Sequence, residues 1–369
     1  GRLKFTIPLE AGMSADTLLK IDAVISRAIE NQAMPGCQVL IARKGKVVFN
    51  KTYGAQVYKG KRPVHPTDLY DLASVTKVAA TTQALMKLTD EGCLDINQKL
   101  SAYLPYLEHT NKKDLVIKDI LLHQSGLLPF IQFYFSTLEP VFKNQPLISN
   151  VQTDVNPVKI GTGQYLNRYT RFKSDIISEK FSKDFPLKVA ENMYIMKSWP
   201  DTIYKGIADS KLSGKKEYVY SDLGFILFKQ LVDSITRIPF ESYLDSVFYS
   251  KLGASTLCFN PLTRFNSGEI APTENDQLFR MQQIRGFVHD PRAAMLGGIT
   301  GHAGLFGNSL DLALWNTSTV PASSSVLLAF YRPDRNWYRQ TSCTFNANGC
   351  NVPLYRLPFG QIFVRAVSS

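Results

Sequence analysis

The sequence lacks several features that would place it in a protein class at once. No apolar run approaches the roughly 18 residues that a membrane-spanning helix needs, so no membrane span is expected. The five histidines form no metal-ligand spacing, and neither a metal nor another cofactor is expected. Gly1-Arg2-Leu3 contains neither an initiator methionine nor a signal peptide, so we expect a processed piece of a longer chain.

Cysteine is also scarce. The five cysteines are odd in number and widely spaced, and none forms a Cys-x-x-Cys pair. Cys343 and Cys350 are close enough in sequence to form a disulfide, but the pattern does not require one. The cysteines therefore predict no disulfide framework and leave the redox compartment open.

Acidic residues are in the minority. Lys and Arg total 42 whereas Asp and Glu total 31, which gives a net charge of +11. Such a balance can indicate a nucleic acid partner, but the basic residues here are interspersed with acidic ones, as in EKFSKDFPLK, and no basic-aromatic module is present. We therefore predict a solvated basic surface and no nucleic acid partner.

The first third of the chain shows clear periodicity. Apolar residues at helical spacing predict an N-terminal helix that ends at Pro35-Gly36: Leu18, Ile21, Val24, Ile25 and Ala28. Two runs rich in Val and Ile then flank Lys44-Gly45 and predict a β-hairpin. A second helical face begins at Ser74, and Gly92 suits its C-terminal cap.

Later segments are less regular. Residues 130–216 are polar and aromatic, with only a weak helical pattern over 165–194, and we interpret them as an insertion or cap. A strong helix is predicted to follow YVYSDLG. The tail, 314–369, has little periodicity of either kind, although SSSVLLAFYR and FGQIFVRAV each contain an apolar run that could form a strand.

The sequence DLASVTK places Ser74 and Lys77 one helical turn apart at the start of the second helix. On one helical face, Lys77 can reach back over Ser74, and the helix N-terminus favours negative charge on a nucleophilic oxygen. A serine hydroxyl needs a partner that takes its proton, and a lysine does so only when its environment favours the neutral amine. A second Ser-x-x-Lys, Ser213 to Lys216, lies in a Gly/Lys loop without a hydrophobic frame and is discarded.

A tyrosine that could shuttle the proton is Tyr220 in YSDLGF. ASVTK followed by YSDLGF resembles the serine β-lactamase and penicillin-binding protein superfamily, and within it the class C type, which includes esterases and D-alanyl-D-alanine peptidases. PGCQVLIARKGKVVFNKTYG, IKDILLHQSGLLPF and VHDPRAAMLGGITGHAGLFGNSLDLA also look like segments of this family. The resemblance covers about 17–128 and 217–313.

The resemblance implies an α+β fold: an antiparallel sheet with helices on both sides and a helical region between its two halves. It implies that Ser74 is the nucleophile and that Lys77 and Tyr220 move its proton, and it makes Asp222 a candidate substrate-binding residue. Residues 17–369 would form the hydrolase domain. Because 130–216 combine many aromatic and charged residues and have no clear place in the family core, we predict that they cover part of the cleft and limit which substrates enter. His123 in LLHQSG is expected to be structural, and His65 and His109 to lie on the surface.

A subgroup of this family follows a β-glucosidase-like glycoside hydrolase domain in secreted bacterial proteins. The lead-in FTIPLEAGMSADTLLKID is similar to the joint between the two domains, so residues 1–16 are interpreted as a lead-in or linker. The resemblance therefore implies a periplasmic or secreted location and a larger chain that contains a glycoside hydrolase.

The sequence departs from the family pattern in two places. Asp222 stands where the family has asparagine, and an ionised carboxylate can only accept hydrogen bonds. No Lys-Thr-Gly or His-Thr-Gly follows Tyr220 to supply an oxyanion donor, whose loss can cost about 10²–10³ in rate. His302-Ala303-Gly304 leads into a helical pattern and is interpreted as a structural turn.

The sequence therefore supports two functions. The first is a serine hydrolase that acts through an acyl-enzyme on an ester, a β-lactam or a cell-wall peptide amide. The second is a catalytically weak or inactive module that binds a cell-wall or glycan fragment. The retained Ser74, Lys77 and Tyr220 favour the first, whereas the missing third motif favours the second.

Overall fold

The structure of the chain, a computed structural model, describes residues 3–319 and the backbone of later strands within 325–330, 345–347, 350–352, 355–356 and 362–364. Side chains are described through residue 316. The possible Cys343–Cys350 disulfide therefore lies outside the described side chains. No helix in the described part of the chain is long and apolar enough to cross a membrane.

The helices and strands fall into runs along the chain, with a run of strands within 138–195 and then a run of helices within 199–252. The α-helices are α1 Ala15–Glu30, α2 Gln83–Asp90, α3 Ile117–Leu121, α4 Trp199–Asp209, α5 Leu223–Thr236, α6 Phe240–Leu244, α7 Ser250–Leu252, α8 Pro291–Met295 and α9 Ser309–Thr319. Two π-helical segments are Lys77–Thr82 and Asp245–Tyr249, and short 3-10 turns are Pro8–Ala11, Leu100–Ala102, Pro105–Leu107, Phe133–Thr137, Pro261–Thr263 and Ser267–Glu269. The strands are β1 Lys4–Phe5, β2 Gly36–Arg43, β3 Lys46–Gly54, β4 Tyr70–Asp71, β5 Leu138–Pro140, β6 Ile148–Ser149, β7 Val158–Gly161, β8 Gln164–Leu166, β9 Thr170–Phe172, β10 Ile177–Ser178, β11 Leu187–Ala190, β12 Met193–Ile195, β13 Cys258–Phe259, β14 Pro272–Asn275, β15 Gln283–Arg285, β16 Leu305–Gly307, β17 Ser325–Phe330, β18 Phe345–Ala347, β19 Cys350–Val352, β20 Tyr355–Arg356 and β21 Ile362–Val364.

The main sheet has the strand order β1-β3-β2-β17-β21-β20. Every pairing in it is antiparallel except that of β1 with β3. Strands β2 and β3 form the predicted hairpin, and its turn residues Lys44 and Gly45 have φ angles of 51° and 73°. Two consecutive positive φ angles are typical of the tight turns that match the twist of a hairpin.

Helices cover both faces of this sheet because side chains alternate along β2. Cys37, Val39 and Ile41 point to one face and pack with Leu18, Ile21 and Ile25 of α1. Leu40 and Ala42 point to the other face and pack with Ala313 of α9. The expected α+β architecture, an antiparallel sheet with helices on both sides, is confirmed.

The two halves of the sheet come from opposite ends of the chain. Strand β17 pairs with β2 from Ser325 opposite Ala42 to Phe330 opposite Cys37. The two tail segments with apolar runs therefore contain strands, β17 and β21. The chain that connects the two halves forms the large core around α5, in which Phe228 and Leu231 are fully buried.

The interpretation of 165–194 as weak helix is wrong. This stretch contains β8 to β12, which belong to small antiparallel sheets. Its β-branched and aromatic residues suit strands, and pairing with β5 to β7 supplies partners that local sequence does not show. The segment packs on residues that precede α8, since the ring centroid of Phe172 lies 6.1 Å from that of Phe279.

One contact between residues 130–216 and the surroundings of Ser74 is made by Phe130. The guanidinium carbon of Arg292 lies 5.5 Å from the ring centroid of Phe130, and Phe130 is 51% exposed. That 130–216 cover part of the cleft stays a prediction.

Candidate active site

A tight turn presents Ser74. Strand β4 pairs with β16, and the N–H of Leu72 donates to the carbonyl of Leu305 over 2.8 Å. Ala73 then takes a φ of 42°, a left-handed conformation that a residue with a Cβ adopts only when its surroundings impose it. Asp71 imposes it here, since its carboxylate accepts the N–H of Ala73 at 2.8 Å.

Asp71 is itself fixed from a distant part of the chain. Its second oxygen accepts the N–H of His289 at 2.6 Å. The carbonyls of Val288 and His289 each accept a guanidinium N–H from the buried Arg280 at 2.7 Å. The segment before α8 therefore holds the turn that carries Ser74.

Ser74 lies at the beginning of the helical segment that continues as Lys77–Thr82 and α2. The N–H of Lys77 donates to the carbonyl of Ser74 over 3.1 Å, and the N–H of Ser74 donates to no group in the described part of the chain. The positive end of the helix dipole and this unpaired donor both favour negative charge beside Ser74. The π-helical turn starts at Lys77, as such turns often do at functional sites.

Lys77 is buried, with 4% of its surface exposed. Its Nζ lies 3.0 Å from Ser74 Oγ, 3.2 Å from the carbonyl oxygen of His302 and 2.7 Å from Asp222 Oδ1. A lysine ammonium has three N–H donors, and two of them donate to the Ser74 hydroxyl oxygen and the His302 carbonyl, while the contact with Asp222 is a buried ion pair. The predicted Ser74–Lys77 contact is present.

The His302 carbonyl reaches Lys77 because the loop that contains it packs tightly between the helical segment Lys77–Thr82 and α5. The Thr81 hydroxyl donates to the carbonyl of Gly301 at 2.7 Å. A Cβ on Gly301 would lie only 2.1 Å from the carbonyl oxygen of Phe225, so only glycine fits there. The loop then enters β16 and α9, so His302-Ala303-Gly304 is a structural turn as predicted, and it also contributes a backbone acceptor.

Tyr220 approaches Ser74 from the segment before α5. Its hydroxyl donates to Ser74 Oγ over 3.0 Å, and its ring centroid lies 4.9 Å from Lys77 Nζ. Ser74, Lys77 and Tyr220 therefore meet at one oxygen, as the sequence predicted. The other Ser-x-x-Lys lies in an exposed loop, where Lys216 pairs with Asp119 at 2.6 Å.

His123 supports Tyr220 from beneath. Its Nδ1 accepts the N–H of Ser221 at 3.1 Å, and its ring centroid lies 4.6 Å from that of Tyr220. Burial, and then the charge of Lys77, lower the pKa of His123 below its usual value. His123 is therefore a neutral structural acceptor, as expected, while His65 and His109 are exposed.

Asp222 lies between two cations. Its second oxygen is 2.8 Å from Arg292 Nη2, in addition to the contact with Lys77. Burial acts to raise the pKa of Asp222, but the charges of Lys77, His302 and Arg292 outweigh it and lower the pKa. Both oxygens are thus engaged within the protein, and a direct contact of Asp222 with substrate stays a prediction.

Asp290 extends this network. It binds Arg292 through both oxygens, and its Oδ1 lies 3.0 Å from His302 Nε2. Burial acts to raise the pKa of Asp290, but Arg292 and His302 outweigh it and hold the pKa well below its usual range. Asp222, Asp290 and His302 bring ligand-type atoms within 4.8 Å of one another, but both carboxylates are already paired with Arg292.

Sequence reasoning missed Asp71, Asp290 and Arg292. One available signal was Asp290-Pro291, which suits a helix N-cap followed by proline and places Arg292 in the first turn of α8. The other was Asp222 itself, because a carboxylate in place of an amide in a buried site requires a compensating cation.

A serine hydroxyl contacts a buried lysine and a tyrosine at the start of a helix beside an antiparallel sheet, an arrangement that suits serine nucleophilic catalysis. Residues 21–340 match the sequence model of the beta-lactamase family. The chain belongs to the beta-lactamase family.

Curated relatives are longer than this chain. A protein of Escherichia coli (strain K12) with the provisional name D-alanyl-D-alanine carboxypeptidase is 29% identical, over 83% of this chain and 64% of its own length. An N-acetylmuramyl-L-alanine amidase of Bacillus subtilis (strain 168) is 30% identical, over 82% of this chain and 63% of its own length. The chain thus spans a little under two thirds of these relatives.

Solved structures support the same fold. The octameric penicillin-binding protein homologue from Pyrococcus abyssi superposes with a TM-score of 0.52 at 17% identity. The match covers 81% of this chain and 55% of the other. At this identity the likeness concerns the fold alone.

The neutral state of His123 gives a testable pH dependence. Because the folded state lowers its pKa, the unfolded chain binds a proton first as pH falls below the unfolded value of about 6.5. The resulting stability is present above that pH, declines as pH falls through it and levels off below the folded pKa. NMR titration of the His123 ring should therefore give a pKa below 6.5.

His123→Asn is the matched variant, because asparagine tolerates the φ of 56° and can accept the Ser221 N–H. Urea unfolding should show a smaller loss of stability between about pH 7 and pH 5 in this variant than in the wild type. A His123 pKa at or above the unfolded value would contradict the assignment.

Proposed function

We propose that the chain is a serine hydrolase that acts through an acyl-enzyme on an ester, a β-lactam or a cell-wall peptide amide. The observation that carries the proposal is that Ser74 Oγ lies 3.0 Å from both Lys77 Nζ and the Tyr220 hydroxyl. These distances are within reach for proton transfer.

The first step is attack of Ser74 Oγ on the substrate carbonyl. In its neutral form, Lys77 has one lone pair, which can accept the Ser74 proton, and two N–H groups, which can donate to Asp222 and the His302 carbonyl. The oxygen that becomes negative can accept the N–H of Ser74. A second oxyanion donor was expected from the third motif, in the tail after residue 314. That this donor is lost stays a prediction.

The second step expels the leaving group and then hydrolyses the acyl-enzyme. Tyr220 is half-buried, so its hydroxyl can hand a proton to the departing alcohol or amine. Water then attacks the Ser74 ester, gives one proton to the Tyr220–Lys77 pair, and releases the acid while Ser74 regains its hydrogen. The names of the E. coli and B. subtilis relatives support an amide substrate.

The alternative is a weak or inactive module that binds a cell-wall or glycan fragment. One observation favours it: the 2.7 Å contact of Lys77 with Asp222 stabilises the ammonium form, which cannot accept a proton. Whether the site is catalytic thus depends on how strongly the charge of Asp222 is offset.

We also propose that the domain acts in the periplasm or outside the cell, behind a glycoside hydrolase in one polypeptide. The resemblance to the family subgroup supports the fusion, and the names of the E. coli and B. subtilis relatives support the location. An antibody against this chain should detect, in the periplasmic or secreted fraction of the source bacterium, a polypeptide with glycosidase activity that is larger than this chain. A cytoplasmic band of this chain's own size would contradict the proposal.

Turnover of p-nitrophenyl acetate and nitrocefin tests the catalytic assignment. Ser74→Ala should abolish turnover, and Lys77→Ala and Tyr220→Phe should each lower kcat/KM by about 10²–10⁴ because general acid–base catalysis is lost. The matched controls are Ser213→Ala and Lys216→Ala in the exposed second Ser-x-x-Lys, which should leave turnover unchanged. Folded protein whose activity equals that of Ser74→Ala would favour the binding module.

A further inference from the structure

The Asp222 carboxylate lies between two buried cations. Its oxygens are 2.7 Å from Lys77 Nζ and 2.8 Å from Arg292 Nη2, and all three side chains are at most 8% exposed. A carboxylate at this distance favours the ammonium form of a lysine, and burial makes the effect stronger. The proton transfer from Ser74 needs the opposite, a neutral amine.

Arg292 works against that effect of Asp222. Its guanidinium attracts the same carboxylate from the other side and, as a nearby like charge, disfavours the ammonium form of Lys77. A neutral asparagine at position 222 would need no such cation. Asp222 and Arg292 are therefore a functional pair in this chain.

The position of Arg292 is fixed by two further contacts. Asp290 binds both its Nε, at 3.2 Å, and its Nη2. The ring of Phe130 covers the guanidinium, with 5.5 Å from the centroid to the guanidinium carbon. Two-point binding of a carboxylate suits the planar guanidinium and would be lost with a lysine.

The other groups that face Lys77 leave Asp222 as its only anionic contact among the described residues. Those groups are Ser74, Tyr220, the neutral His123 and the His302 carbonyl, with Arg292, Asp290 and the His302 ring behind Asp222. The charge beside Lys77 is therefore set by Asp222 together with Arg292 and Asp290 behind it.

We propose that Arg292 is a positioning residue of this site: it neutralises Asp222, so that Asp222 holds Lys77 Nζ against Ser74 without fixing Lys77 as an ammonium ion. This inference rests on the proposed function and adds to it the residue that makes an aspartate compatible with a lysine base. Arg292 touches neither Ser74 nor a reacting atom and acts through Asp222.

The direct test is an NMR titration of the Lys77 amine in the full chain prepared with isotope-labelled lysine. Arg292→Gln should raise the pH at which Lys77 loses its proton by about one unit, because Asp222 is left uncompensated. Asp222→Asn should lower that pH. The acid limb of the rate at which a fluorophosphonate modifies Ser74 should move in the same directions.

The double variant Asp222→Asn/Arg292→Gln removes both charges and should return the Lys77 titration toward that of the wild type. The matched control is Arg62→Gln, which removes one positive charge from a different buried carboxylate, Asp68, paired at 3.0 Å, and should cause no shift. A merely structural role for Arg292 would change stability but not these pH midpoints.

Arg292→Lys keeps the positive charge but loses the two-point binding of Asp290. It should raise the pH at which Lys77 loses its proton by less than Arg292→Gln does, and it replaces Arg292→Gln in the test if that variant does not fold. An unchanged Lys77 titration in the folded Arg292 variants, or a double variant with no return, would overturn the inference. If the wild type takes up no fluorophosphonate, the proposed function fails, while the Lys77 titration still decides the role of Arg292.

Discussion

The Lys77 amine determines how the rest of the site is arranged. A buried amine that lacks partners costs several kcal/mol, so the fold must bring acceptors to it. They come from three separate parts of the chain: Ser74 at the helix start, Asp222 before α5, and the His302 carbonyl before β16. The contacts that stabilise this buried lysine therefore also position the nucleophile.

Charge balance is the second consequence of burying Lys77. An aspartate at position 222 gives the lysine a strong partner but favours its inactive ammonium form. Arg292 and Asp290 add a second ion pair, which leaves two cations opposite two carboxylates in the network before His302 is counted. The charge around Lys77 therefore bears on whether the site is a hydrolase or a binding module, beside the oxyanion donor expected from the third motif. The segment 276–292 contributes both to the charge balance and to the position of the nucleophile, since it supplies Arg292 and, through His289, holds Asp71 and the Ser74 turn.

Much of the fold and of the site could be predicted from local sequence patterns, whereas the rest depends on contacts between distant residues. The α1 periodicity, the Lys44-Gly45 hairpin and the Ser74–Lys77 spacing are local, and all three are present in the structure. The strands within 165–194 were missed because short strands of two to four residues depend on distant pairing partners rather than on their own sequence. Arg292 was missed because its partners Asp222 and Asp290 meet only in the folded chain. Asp71 was missed because a single aspartate before a helix gives no sign that it holds Ala73 at a positive φ.

The central claim is that Ser74 becomes acylated by a substrate carbonyl. The most direct measurement is mass spectrometry of the intact and the digested chain after exposure to a penicillin, with Ser74→Ala treated in parallel. We expect a single covalent adduct whose mass equals that of the intact penicillin, located on the peptide that contains Ser74 and missing from Ser74→Ala. An adduct on another residue, or a folded wild-type chain that forms none with either a penicillin or a fluorophosphonate, would contradict it.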